Sequence, residues 1–386
     1  MPATVLLATT MDWPFPAQLA GAFAGAGATV EALCPKHTML WHSRHPGRVH
    51  RHHALAPEAS LRKAIATAAP DLIIPCDDLA AEILRGVRGG EDLANRHAFL
   101  LRAAEAGAPA GKTIALTDES MLEDAMREFG LPLVLKCDHS WGGDGVAIAS
   151  TAEEAHAAFR RFHQTSRLRN LIRAVRRGER YFLTRALSPV TPVISAQRFI
   201  DGHPATSSIA CWQGEVVAAH HFDVLGTSGA TAPACVIARR DCAAMEASAR
   251  TIARTFNLSG LFGLDYMREP TGDVHLLEIN ARATPTAHLM LKQDLPAALL
   301  KAAGLPSHPR APMTDKDEIA IFPREWLRDP ASPWLKSAYH DVPWDDPEVV
   351  RACVRTAPAA NRAAAQALFE AANRPVYPKK DAVFGI

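Results

Sequence analysis

The 386-residue sequence contains no run of 18 consecutive apolar residues, and no basic lead precedes its short N-terminal apolar stretch, ATVLLAT at residues 3–9. The expectation is therefore a chain without membrane attachment, working in the cytoplasm. Excess charge of one sign is also missing. Lysine and arginine total 42 against 41 acids, a formal net charge of +1, so no whole-protein field draws the chain to nucleic acid or a lipid surface. Seven cysteines, at 34, 76, 137, 211, 235, 242 and 353, make no CxxC pair and no closely spaced framework, which predicts free thiols. The first βα turn lacks GxGxxG, which argues against a dinucleotide site there, and no internal repeat or low-complexity segment is present.

What is present is an ordinary globular composition, 48% hydrophobic and 22% charged, at a length that predicts two or three packed units. Residues 3–9, a helix from Pro16 to Gly25, a strand at 28–33, DLIIP at 71–75 and a helix at 79–87 alternate strand with helix. Such alternation predicts a Rossmann-like parallel sheet, assigned to residues 1–92, with PCDD (75–78) at a strand's carboxyl end where such sheets offer ligand contacts. The five histidines between 42 and 53 are irregularly spaced among arginines, which favours a solvated loop over a metal site.

A second unit, 93–190, opens with a helix at 95–106 and continues through the breakers AGAPAG to the strand KTIAL, a helix at 119–129 and the strand LPLVLKC. An arginine-dense helical stretch at 151–180 lacks interleaved aromatics and is read as a solvated face rather than a nucleic-acid platform. In a third unit, 191–305, strands at 192–200, 205–212 and 215–222 read as an antiparallel meander turning at Asp201-Gly202 and Gln213-Gly214. A helix at 242–256 and a hairpin at 263–280 follow. Residues 306–386, proline-rich with three tryptophans, read as a wrapping tail.

The hairpin GLDYMREPTGDVHLLEIN carries the strongest local signal. With its turn at Glu269 to Asp273, Asp265 falls opposite Glu278, and like charges so placed destabilise unless something positive lies between them. Strand alternation places Glu278 and Asn280 on one face and Leu277 and Ile279 on the other. Two carboxylates and an amide oxygen are hard ligands that suit Mg²⁺ held together with phosphate oxygens, with Mn²⁺ as the alternative ion.

The second signal is PLVLKCDHSWGGDGV. An apolar strand delivers Lys136, one of only ten lysines beside 32 arginines and the sole lysine between residues 113 and 291. A glycine-containing loop from Ser140 to Gly145 follows, whose backbone amides can approach phosphate.

KCDHSWGGDGV, followed about 120 residues later by DYMREPTGDVHLLEINAR, resembles the ATP-grasp superfamily, and within it the carboxylate-amine ligases, over roughly residues 90–300. The resemblance implies a mixed α/β and α+β fold: an N-terminal pre-ATP-grasp sheet, a two-lobed ATP-grasp body and a C-terminal tail. It implies that Lys136, Ser140, Gly142, Gly143 and Gly145 hold nucleotide phosphates, with Arg96 where relatives carry another lysine. Lys112 lies too late for that position. QRFIDG resembles the strand that meets the adenine edge, which assigns Gln197, Arg198, Phe199 and Ile200 to the nucleotide. Pro204 stands where a ribose-binding acid is common, with Asp201 as its substitute. Asp265, Glu278 and Asn280 match the metal ligands, and Arg282 the arginine facing the transferred phosphoryl group.

The chemistry implied is ATP-dependent activation of a carboxylate as an acyl phosphate and its capture by an amine. GTSGATAP (226–233) and TPTAHL (284–289) bracket the expected acceptor pocket, with Thr286 and His288 as substrate contacts. The expected partners are a small carboxylate and an amine; no nucleic acid or membrane is expected, and a homodimer is compatible with the sequence. A kinase that stops at a phosphorylated product, or an ATP-binding regulator without turnover, fits the same residues and stays open at this point.

Overall fold

The computed structural model describes residues 2–91, 93–138, 145–163, 193–229 and 232–372. The chain begins with a four-stranded parallel sheet of β1 (Thr4–Ala8), β2 (Thr29–Cys34), β3 (Arg48–Arg51) and β4 (Leu72–Pro75), ordered β3-β2-β1-β4. Its strand β1 is apolar from Val5 to Ala8 because both faces are covered. Val5 and Leu7 join the core beneath α1 (Phe15–Gly25), while Leu6 and Ala8 pack with Leu61 of α3 (Pro57–Ala68) and Ile83 of α4 (Asp78–Arg88). Asp77 caps α4 by accepting the Ala80 N–H, and its carboxylate also takes the Thr9 and Thr10 hydroxyls, tying the ends of β1 and β4 together.

The histidine-rich stretch is more ordered than expected. It forms α2 (Met39–His42) and the edge strand β3, with His50 Nε2 2.6 Å from Glu31 Oε2 and His52 buried. A four-residue strand reading Arg-Val-His-Arg has too little apolar alternation to announce itself.

The second sheet is antiparallel, ordered β5 (Thr113–Leu116), β8 (Ile194–Arg198), β6 (Leu133–Cys137), β7 (Val146–Ala149). Between β4 and β5 runs α5 (Arg96–Glu105), and α6 (Glu119–Phe129) and α7 (Ala152–His163) cover the second sheet through Leu122, Ala125, Phe159 and Phe162. α6 starts at the Asp118 cap and stops at Gly130, whose φ of 73° is left-handed.

The third sheet has seven strands: β13 (Val274–Asn280), β12 (Gly260–Arg268), β9 (His203–Trp212), β10 (Glu215–Thr227), β11 (Ala234–Arg239), β14 (Glu318–Ala320) and β15 (Tyr339–His340). One face packs on α5 and α8 (Ala243–Thr255), the other on α9 (Leu295–Ala302) and the first sheet's α1. The expected meander is corrected here. Of these three strands only β9 and β10 form a hairpin; β8 belongs to the second sheet, and Asp201-Gly202 carries the chain between sheets. A Cβ on Gly202 would collide with the Arg268 carbonyl oxygen, so only glycine permits this passage.

The stretch after residue 306 does more than wrap. β14 and β15 extend the large sheet, and α10 (Arg324–Arg328), α11 (Trp334–Ser337) and α12 (Pro347–Thr356) follow the chain back toward α1. Trp326 shares one core with Phe23, Leu261 and Val350, and Gln18 Nε2 donates to the Asp341 carbonyl at 2.9 Å. All seven cysteines are free, and among the described residues no helix is long and apolar enough to cross a membrane.

Candidate active site

In the β12–β13 hairpin, Asp265 pairs directly with Glu278, the register its turn predicts. One residue later the ladder slips, and Tyr266 faces Leu276. Leu277 is thus the extra residue of a β-bulge, which corrects the expected alternation. Leu276 and Ile279 are buried, whereas Leu277 lines the cavity beside Glu278, and its carbonyl accepts Lys136 Nζ at 3.3 Å.

Each of the two acids sits in its own polar network. Thr206 Oγ1 donates to Asp265 Oδ1 at 2.8 Å and Asn280 Nδ2 to Asp265 Oδ2 at 2.9 Å. Asn280 Oδ1 accepts Arg282 Nη2 at 3.0 Å, and Arg282 Nε reaches Asp78 Oδ1 at 2.8 Å. Glu278 Oε2 lies 2.7 Å from Arg96 Nε, while Arg96 Nη1 donates to the Cys137 carbonyl. Asp78 follows the first sheet's last strand, Lys136 comes from the second sheet, and the acids from the third. All except Lys136 border a cavity of about 300 Å³.

Burial, and then the facing Glu278, hold the Asp265 carboxyl above its ordinary range. Burial pushes Glu278 the same way, but Arg96 and Lys136 outweigh it and keep Glu278 below its ordinary range. Burial likewise opposes the charge on Arg96 and Arg282, and the carboxylates of Glu278 and Asp78 respectively more than compensate. Lys136, 5% exposed, is pulled down to about 8 by burial, with Glu278 opposing the fall.

The donor set fits a hard divalent cation. Two carboxylates facing each other at a sheet end, with an amide two residues on, form an incomplete oxygen shell. Among the described residues no group of three or more His, Cys, Asp or Glu is built to hold a metal alone. Such a shell suits Mg²⁺, or Mn²⁺, with phosphate oxygens and water completing it.

Of the other residues singled out, Ser140, Gly142 and Gly143 lie outside the described residues, as do residues 230 and 231 of GTSGATAP. The Gly145 carbonyl accepts the Cys137 N–H at 2.8 Å at the base of the loop. Gln197 is buried in β8, and its Nε2 has no hydrogen-bond partner among the described residues. Arg198 ends β8, exposed, and Phe199 and Ile200 follow it, half-buried. Thr286 lines the acid cavity, its Oγ1 2.5 Å from Ser208 Oγ, which also meets Thr284 at 2.6 Å.

His288 does not line the acid cavity. It is 3% exposed, packs on Phe15 and places Nε2 3.2 Å from Asp341 Oδ2, because the chain after Thr286 turns into the interface with α1. Asp78 closes the PCDD segment with no pattern that marks it apart, and the hydroxyls of Thr206 and Ser208 carry no local signal in the sequence.

The sequence matches the family described as "Carbamoyl-phosphate synthase L chain, ATP binding domain" over residues 95–290. A stretch of 68 residues is 35% identical to the carbamoyl phosphate synthase large chain of Methanothrix thermoacetophila. That stretch is 18% of this chain and 6% of that protein, so the match spans a small part of the relative's length. Among solved structures, N5-carboxyaminoimidazole synthetase of Staphylococcus aureus, complexed with ADP, superposes with a TM-score of 0.57 at 12% identity, covering 80% of this chain and 79% of that one. The biotin carboxylase domain of Hydrogenobacter thermophilus 2-oxoglutarate carboxylase gives 0.58 at 13% identity, covering 79% and 70%. The L-amino acid ligase of Bacillus licheniformis gives 0.53 at 13%, covering 78% and 74%. At such identities these are likenesses of fold, and the fold they share is ATP-grasp. With the family matched over half its length, this chain belongs to the carbamoyl-phosphate synthase L chain ATP-binding domain family.

Proposed function

We propose that the chain is an ATP-dependent ligase that activates a carboxylate as an acyl phosphate and passes the acyl group to an amine, releasing ADP and phosphate. The observation that carries this reading is the convergence of the opposed acids Asp265 and Glu278 with three cations, Lys136, Arg96 and Arg282. One acid with one cation would suit a structural ion pair. Two acids plus three cations at a junction of three sheets suit a metal-bound polyphosphate and a transferring phosphoryl group, which is stabilised chiefly by positioning and charge.

In this reading Asp265, Glu278 and Asn280 hold Mg²⁺, which when bound neutralises phosphate oxygens. Lys136 and Arg96 bind the phosphates of ATP, and Gln197 meets the adenine edge. Arg282, oriented by Asp78 and Asn280, faces the carboxylate oxygen that attacks the γ-phosphorus as the bond to ADP breaks. The amine then displaces phosphate from the acyl carbon and gives up a proton to solvent. Thr286 contributes a hydroxyl to the same cavity.

The test is ADP release with Mg²⁺ over a panel of acids and amines, with hydroxylamine added to trap acyl phosphate as hydroxamate. Turnover needing an acid, a hydroxamate product and loss of both in Glu278→Gln support the ligase. ADP release with a stable phosphorylated product and no hydroxamate would instead identify a kinase.

A further inference from the structure

A larger cavity, of about 620 Å³, lies between the loop after β1 and the first turn of α10. Met11, Phe15, Met39, Phe322 and Leu327 supply apolar wall, while Asp12, Lys36 and His37 border the same space. Trp13, Ile321 and Arg324, with Pro233 and Pro285, line both this space and the cavity of the acid pair, so the two share one boundary. Trp13 is also the ring over which Arg282 sits, 6.0 Å from its centroid.

Arg324 stands on that boundary with one hydrogen bond among the described residues, from Nη1 to the Ala234 carbonyl at 3.1 Å. Among the described residues no carboxylate lies within ion-pair distance of it. Asp78 is taken by Arg282 and Glu278 by Arg96, while Asp341 accepts the Phe322 N–H and faces His288. Burial draws the guanidinium down to about 10, the direction expected of a cation removed from water without a counter-ion. A half-buried arginine with donors unused among the described residues, at the edge of a partly apolar cavity, is an anchor for a planar anion attached to an apolar body.

We propose that this cavity seats the acid substrate, and that the acid is amphipathic: a carboxylate held by Arg324 within reach of Arg282, and a bulky aromatic or branched body against Phe15, Met39, Phe322 and Leu327. This rests on the ligase reading for the fate of the carboxylate, but not for its binding. The volume lies within the range of about 300–1,000 Å³ usual for small-molecule pockets, far more than bicarbonate or acetate fills. An acid lacking an apolar body leaves those walls wet and gains nothing from them.

The experiment measures equilibrium binding of 3-phenylpropionate, its neutral amide, acetate and bicarbonate to the full chain by calorimetry, without ATP. The expected result is 3-phenylpropionate at least about tenfold tighter than acetate or bicarbonate, and weakened about ten- to a hundredfold in Arg324→Met, with partial recovery in Arg324→Lys. The amide should bind Arg324→Met and the native chain alike. Nucleotide binding by each variant verifies its fold. If Arg324→Met fails that check, Leu327→Trp, a change at a residue 37% exposed, serves instead by narrowing the cavity and should weaken 3-phenylpropionate but not acetate. Selective binding without any ADP release keeps this proposal and removes the ligase reading. Turnover favouring bicarbonate or acetate, indifferent to Arg324→Met, keeps the ligase and overturns this proposal.

Discussion

Arg96 Nε lies 2.7 Å from Glu278 Oε2, so the first residue of α5 supplies positive charge to a hairpin whose two acids face each other. The guanidinium answers the repulsion that the Asp265 and Glu278 register creates, and Lys136 adds a second cation through the same carboxylate. Under the proposed function the same carboxylate would be a metal ligand, so Glu278 would have to leave Arg96 for the metal and free the guanidinium for phosphate.

Arg96→Ala leaves Glu278 opposite Asp265 with one cation fewer, and breaking such a partly buried pair is expected to destabilise by about 3 kcal/mol. The expected signature is a lowered Tm that millimolar Mg²⁺, without nucleotide, raises more than it raises the native chain's. Equal Mg²⁺ shifts in both proteins would mean that the acids do not hold the ion.

The hairpin register was legible because a five-residue turn from Glu269 to Asp273 pins it, and Lys136 because lysine is scarce in this chain. The bulge was not legible. Leu-Leu-Glu-Ile offers two apolar residues where alternation needs one, and the pattern cannot say which of them faces the cavity. Nor could spacing assign β8 to its sheet, since an antiparallel strand reads the same whichever neighbours it takes. His288 was misplaced because its burial depends on Asp341, and Arg324 has no local pattern at all. Both need the chain after residue 306 to be folded back on the first sheet.

If Lys136 binds the phosphates of ATP as proposed, it is expected to set a pH limit on nucleotide capture. In the free protein its ammonium is lost as pH rises through about 8. kcat/KM for ATP, which reports the free enzyme, is expected to fall about tenfold per pH unit above that point. The titration of Lys136 does not itself produce this limb by unfolding. A lysine depressed in the native state leaves more protons on the unfolded chain between about 8 and 10.5, so stability rises with pH there. Lys136→Arg, which keeps its charge, should remove the limb, and a limb that persists in that variant would assign it to another group.

Acid stability is governed in part by His220, which is 4% exposed, shares a hydrogen bond with the Leu289 carbonyl, and is pulled down to about 4 by burial. Above its ordinary value of 6.5 both native and unfolded forms are neutral. As pH falls from there toward about 4 only the unfolded chain takes the proton, and stability drops by about 1.4 kcal/mol per pH unit. Urea unfolding of His220→Phe across that window should show a slope shallower by one proton, whatever its absolute stability. An unchanged slope would place the acid sensitivity elsewhere.

Gln197 is one of several buried polar side chains with an unpaired atom among the described residues, and its place in β8 gives it a directional consequence. Its Nε2 is buried in β8 without a partner among the described residues, and a buried amide left so costs about 1–3 kcal/mol until a ligand satisfies it. A glutamine can present either its oxygen or its nitrogen, so it can accept from the amino group of adenine or, turned over, donate to the carbonyl of guanine. The native chain is therefore expected to separate ATP from GTP weakly. The carboxylate introduced by Gln197→Glu only accepts, and facing guanine it would set oxygen against oxygen. Competition binding of ATP and GTP should show the variant's preference for ATP widened about tenfold or more, chiefly through weaker GTP binding. An unaltered ratio would remove Gln197 from the adenine edge.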